Sequence, residues 1–144
     1  METWVHSLFS LALAAILYHF FGWEAAAVFV GGVMVDFDHY IWYVYNLRKF
    51  NPLKCYTYFI KDIEKNDWQD VQGTVLVLHT VEFLALCIIL SFFNTIALLF
   101  TIGLVGHYFL DLVWHLRVPK RAILNHSLVH WLVNRYFAHS ARFK

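Results

Sequence analysis

All 11 lysines and arginines of this 144-residue chain fall in two stretches, Arg48 to Lys65 and Arg117 to Lys144. Residues 1–47 and 66–116 contain none. Both basic-free intervals are strongly apolar. The chain as a whole is 60% hydrophobic and 15% charged, where a soluble domain averages about 25% charged. Too little polar surface remains to cover a water-soluble globule, and intrinsic disorder is excluded for the same reason. A membrane-crossing helix needs about 20 mostly apolar residues. Four segments supply them, at about 5–21, 25–45, 71–92 and 95–116.

The connections at 22–24 and around Asn94 are short, which implies two antiparallel helical hairpins. The expectation is an all-α polytopic membrane protein with four transmembrane helices in a bundle. It would be a single membrane-embedded domain over 1–144, with an interfacial loop at 46–70. The tail at 117–144 mixes apolar residues with Arg and His and reads as an amphipathic helix on the membrane surface. With four spans both basic stretches lie on one side. The positive-inside rule places that side, and both termini, in the cytoplasm of an integral plasma- or inner-membrane protein. The first apolar run lacks a basic leader and carries His6, so it reads as a retained helix rather than a cleaved signal. Cys55 and Cys87 form no disulfide framework and no CxxC. A net charge of +1 offers no field for nucleic acid.

Ionisable residues inside apolar runs are the next constraint. A charge at bilayer depth costs about 2.5–3.5 kcal/mol even on the lenient insertion scale, so such residues face the bundle interior and have a partner. Asp36 and His39 are spaced i,i+3, as are His79 and Glu82, while His107 and Asp111 are i,i+4. Each pair therefore shares one face of its helix. Asp38 falls off that face unless the backbone unwinds near Gly31-Gly32 or at the motif itself. At a rise of about 1.5 Å per residue, Asp36 to His39, His79, His107 and Asp111 lie roughly 8–14 Å in from the cytoplasmic end, with His6 shallower on the same side. The four carboxylates Asp36, Asp38, Glu82 and Asp111 have no basic neighbour in the bundle. They are either protonated or neutralised by a divalent metal. Mixed imidazole and carboxylate ligands favour Zn, with Mn or Fe as alternatives, over Ca. One or two ions fit the number of ligands, and a two-metal site suits displacement at phosphorus.

The order His6, Val35-Asp36-Phe37-Asp38-His39, His79-Thr80 and Gly106-His107-Tyr108-Phe109-Leu110-Asp111 resembles the YdjM-type inner-membrane metal-dependent hydrolases. That family is distantly similar to zinc-dependent phospholipase C and P1 nuclease. The resemblance covers about residues 4–116. It implies His6, Asp36, His39, His79, His107 and Asp111 as metal ligands, with Asp38 a ligand or a support behind one. Val35 stands where the family has Pro, and Thr80-Val81 follows His79 where the family differs. Phosphoester hydrolysis is the implied chemistry.

Inner-leaflet placement favours a lipid or isoprenoid phosphate as substrate, so membrane lipid and a phosphorylated lipid are the expected partners; self-association is compatible with the sequence. Glu82 or Asp38 would take the proton of the attacking water. Arg117, Lys120 and Arg121 could attract the headgroup, although anchoring the topology accounts for them as well. His19 reads as a packing residue, and the roles of His115, His126 and His130 stay open. Trp42, Tyr43 and Tyr45 read as an interfacial aromatic belt. The competing function is a divalent-metal or proton transporter or channel subunit. A site confined to one leaflet and the absence of interrupted helices count against it.

Overall fold

A computed structural model of the chain describes residues 3–62, 71, 73–117 and 126–140. Its regular elements are all helical among those residues. Helix α1 spans Thr3–Phe21. A 3-10 turn at Gly22–Ala25 leads into α2, Ala26–Val33. A second 3-10 turn at Met34–Asp36 separates α2 from α3, Phe37–Leu47. Helix α4 spans Pro52–Thr57 and continues into one π-helical turn, Tyr58–Asp62. After a 3-10 turn at Val77–His79 come α5, Val81–Ser91, and α6, Thr95–Arg117. Helix α7 spans Leu128–Ser140.

The helix ends are written in local chemistry. Gly22 takes φ +54°, a left-handed conformation that glycine adopts without strain, at the end of α1. Asn51 accepts from the Lys54 amide and Pro52 follows it, which starts α4. The Thr80 hydroxyl accepts from the Phe83 amide and caps α5. Asn94 Oδ1 accepts from the amides of Ile96 and Ala97 at the start of α6.

Register follows from paired residues. Ser10 faces Gly32 and Ala14 packs on Val28, so α2 runs antiparallel to α1. The Thr101 hydroxyl bonds to the Cys87 carbonyl and the Tyr108 hydroxyl reaches that of Thr80, so α5 and α6 are antiparallel. Val28 packs with Leu99, Gly32 meets Gly103, and Asp36 meets His107, so α2 and α6 run parallel. That last pair of helices touches backbone to backbone. A Cβ on Gly31 would run into the Phe100 carbonyl oxygen, and one on Gly103 into that of Val28. Small residues at such crossings let helices approach closely.

Two helical stretches are long and apolar enough to cross a membrane, Thr3–Leu47 with 45 residues and Thr95–Trp114 with 20. The first folds back on itself at Gly22, as the pairing of Ser10 with Gly32 requires. The third expected span differs from the sequence reading. Its α-helix covers only the 11 residues Val81–Ser91, about 16 Å at 1.5 Å per residue, short of a hydrocarbon core of about 30 Å. The preceding residues 73–80 form no α-helix. Gly73 sits at φ +73°, and the amide of Leu78 is taken by the Asp38 side chain rather than by a helical carbonyl.

The second expected span is also not one continuous helix, since the Met34–Asp36 turn interrupts it. Trp42 and Tyr43 are not belt residues. They are buried with Cys55, Tyr58, Val71 and Leu76 in a cluster that ties α3 to the 46–76 region. Tyr45 is exposed.

Candidate metal centre

Four separate stretches of the fold deliver imidazoles and carboxylates to the same end of the bundle, away from the Gly22 and Asn94 turns. His6, one turn into α1, lies buried with its ring stacked on that of His107 in α6, centroids 4.0 Å apart. Its Nε2 is 3.3 Å from Asp111 Oδ1. His107 Nε2 is 3.2 Å from Asp111 Oδ2 and 3.7 Å from Asp36 Oδ1. His79 Nε2 is 3.2 Å from His107 Nε2 and 3.8 Å from Asp111 Oδ2. His39 Nδ1 is 3.7 Å from Asp36 Oδ1 and 3.2 Å from Asp38 Oδ1.

These atoms make three overlapping groups: His6, His107 and Asp111; Asp36, His79 and His107; and Asp38, His39 and His79. Within each group the candidate ligand atoms lie within 4.8 Å of one another. All six residues expected as ligands are brought together, and Asp38 with them. The break at Met34–Asp36 is what admits Asp38. Without it, helical spacing would turn that side chain away; with it, Asp38 is buried against His39 and His79.

The donor set fits a metal by two independent observations. Tetrahedral bonds of about 2.0–2.2 Å put neighbouring ligand atoms about 3.3–3.6 Å apart, and the closest contacts among these ligand atoms run from 3.2 to 3.8 Å, within groups that span up to 4.8 Å. Several of these buried atoms also lack any hydrogen-bond partner: both ring nitrogens of His6, Asp36 Oδ2, Asp38 Oδ1 and His39 Nδ1. His6 and Asp111, like His39 and Asp38, are close enough for an ion pair but not oriented to hydrogen-bond. Buried polar atoms of this kind are rare without an unseen partner.

Supports behind the cluster fix which nitrogens face it. His107 Nδ1 lies 2.9 Å from the Gly32 carbonyl, which can only accept, so Nδ1 carries a proton, and in the neutral ring it is Nε2 that offers its lone pair to the cluster. His79 Nδ1 donates to Asp38 Oδ2 at 3.1 Å, and the same oxygen accepts from the Leu78 amide at 3.0 Å. Carboxylate and carbonyl groups behind imidazoles are the usual outer shell of a metal site. Asp38 therefore acts as a support for His79 through one oxygen while its other oxygen faces His39 without a hydrogen bond.

Glu82 is not brought into the cluster. The sequence placed it on one helical face with His79, but His79 precedes the Thr80 cap and only Glu82 is on α5. Its carboxylate instead accepts from the Ser127 hydroxyl at 2.6 Å and from the amides of Leu128 and Val129. It caps the start of α7. Lys120 and Arg121 lie outside the described residues, as do the side chains of Arg117 and His115. His19 is exposed at the far end of α1 rather than packed between helices. His130 is exposed and pairs with Asn134.

Residues missed in the sequence are those that hold the irregular 73–80 stretch. The Tyr108 hydroxyl donates to the Leu78 carbonyl at 2.6 Å, Trp42 Nε1 to the Thr74 hydroxyl at 3.3 Å, and Trp131 Nε1 to the Gly73 carbonyl at 3.0 Å. Tyr108 was within reach of a sequence reading, because it directly follows His107.

A cavity of about 920 Å³ opens beside the cluster. Asp36, His39, His79 and Asp111 line it together with apolar side chains of α3, α4, α5 and α6. Its described lining contains no lysine or arginine. Taken together, the fold and site define an all-helical protein with an apolar exterior and a buried histidine–aspartate cluster able to hold a metal ion. Comparison with protein-family models, with curated proteins and with solved structures gives no match.

Proposed function

We propose that this chain is a membrane-embedded, metal-dependent phosphoester hydrolase of the YdjM type, acting on a lipid or isoprenoid phosphate at the cytoplasmic leaflet. The observation that carries the reading is the convergence of His6, Asp36, His39, His79, His107 and Asp111, from distant parts of the chain, with partnerless donor atoms among them. Zinc suits the imidazole-rich set best, as one or two ions. When bound, a divalent cation supplies Lewis acidity toward a phosphoryl oxygen and lowers the pKa of a water. His6, His107 and Asp111 hold one side of the site, and Asp36, His39 and His79 the other. Asp38 Oδ2 keeps the His79 ring in place. Asp38 Oδ1, unbonded and beside His39, is the group positioned to take a proton from the attacking water.

Four membrane crossings, by α1, α2–α3, α5 with the stretch before it, and α6, are part of this proposal. Supporting them, Trp23 beside the Gly22 turn and Phe92 and Phe93 beside the Asn94 turn are more than 80% exposed at the end of the bundle away from the basic stretches. That is where an outer aromatic belt would lie. Irregular backbone at membrane depth is tolerated where it lines a cavity, as 73–80 does through Leu76 and His79.

The second reading, a transporter or channel subunit for a divalent metal or protons, gains from the interruption at Met34–Asp36, since broken helices carry transporter sites. Confinement of the described His–Asp cluster to one end of the bundle favours the hydrolase. Phosphate release from polyprenyl phosphates and phospholipids by zinc-loaded protein, compared with His107→Ala, tests the choice. Release lost in the variant supports the hydrolase. Metal uptake into proteoliposomes without release overturns it.

A further inference from the structure

The cavity beside the cluster is larger and more apolar than a phosphate alone requires. Its wall carries Val33, Leu76, Leu84, Cys55, Phe59 and Ile60. At its mouth stand Met34, Phe37, Val81 and Leu112, apolar side chains that are each about half exposed. A mouth of this character admits a ligand from hydrocarbon rather than from water. Phe59 ties the two halves of the space together, because its ring meets that of His39 edge-on at 4.9 Å. A chain lying on Phe59 therefore ends beside the histidine–aspartate cluster.

We infer that this cavity holds the hydrocarbon tail of the substrate inside the protein, and that the substrate is an amphiphile with a single phosphorylated end. The inference rests on the phosphoester reading for the headgroup but not for the tail. Polar groups gather on the cluster side, and the other walls are mainly hydrophobic, apart from hydroxyl- and thiol-bearing side chains and the imidazole of His126. A volume of about 920 Å³ sits at the upper end of ligand pockets, which run to about 1,000 Å³. No lysine or arginine lines the described cavity, so the walls offer no cation to a large anionic headgroup. The segment Pro52–Ile60, which lines the cavity through Cys55, Tyr56, Phe59 and Ile60, would set the tail length.

Photolabelling tests this without requiring turnover. A dodecyl phosphonate carrying a diazirine at the tail end cannot be hydrolysed. It is incubated with the zinc-loaded full chain in nanodiscs and irradiated, and the adducts are mapped by mass spectrometry. The inference expects adducts at Cys55, Phe59, Ile60 or Leu84, displaced by unlabelled dodecyl or farnesyl phosphonate; whichever displaces better names a straight or an isoprenoid tail. Leu84→Trp and Cys55→Trp each fill part of the space, and whichever variant folds should lose most of the cavity label. Adducts confined to outward-facing Leu86, Ile89, Val105 or Phe109, or label that neither competitor displaces, would overturn it. Cavity label with no phosphate released from dodecyl phosphate would sink the hydrolase reading and leave the tail site standing.

Discussion

His79 and His107 point their Nε2 atoms at each other across 3.2 Å, while the Nδ1 of each is already committed, to Asp38 in one case and to the Gly32 carbonyl in the other. With both rings neutral, two imidazole lone pairs at that distance repel unless a cation lies between them. A shared proton or a metal ion would do. The further convergence of Asp36 and Asp111 on His107 makes a divalent ion the better fit.

If Asp38 supports His79 as an outer-shell carboxylate, Asp38→Asn should keep the fold and weaken metal binding by about 10–100-fold. Competition with a chromogenic chelator measures this. Unchanged affinity would remove Asp38 from the centre.

Glu82 should behave differently from Asp38. Glu82→Ala removes the cap on α7, leaving the Leu128 and Val129 amides without their carboxylate acceptor. Faster hydrogen exchange at the Leu128, Val129 and His130 amides is expected, with metal content unchanged. Loss of metal in this variant would return Glu82 to the site.

The α2–α6 crossing should be intolerant of bulk. Gly103→Leu would drive a side chain into the Val28 carbonyl, and overpacking of this kind costs about 1–3 kcal/mol or more. A lowered melting temperature in detergent is the readout, with Gly73→Ala, where nothing crowds an added Cβ, as a comparison that tests backbone conformation alone.

Cys55 lies outside the proposed spans, and burial pushes its thiol from an ordinary value of 9.0 up to about 11. The neutral form then dominates at pH 8, with a thiolate fraction roughly a hundredfold below that of a free cysteine. Alkylation, read site by site in peptides, should be slow at pH 8 and rise about tenfold per unit up to pH 10. Rapid labelling at pH 8 would contradict the burial.

What the sequence made legible was which polar residues converge, because apolar runs without lysine or arginine leave His6, Asp36, His79, His107 and Asp111 conspicuous. Helical spacing also carried the His107–Asp111 pair, which sits on an unbroken α6. The backbone around the other ligands was not legible. Residues 73–80 look like the start of an apolar helix, yet long-range bonds from Asp38 to the Leu78 amide and from Tyr108 to its carbonyl hold them out of one. Periodicity carries no record of partners thirty or forty residues away. Thr80 was a readable cap and Gly73 a readable break. Taken together they would have separated His79 from Glu82 and withdrawn the latter as a base.

Metal content tests the central claim most directly. The protein is purified without added metal or chelator and measured by elemental analysis, alongside Asp111→Ala. The account predicts one or two zinc, manganese or iron ions per chain, lost in the variant while the helical circular-dichroism spectrum is kept. A folded wild-type chain that holds no divalent metal, and takes up none from micromolar zinc, would contradict it.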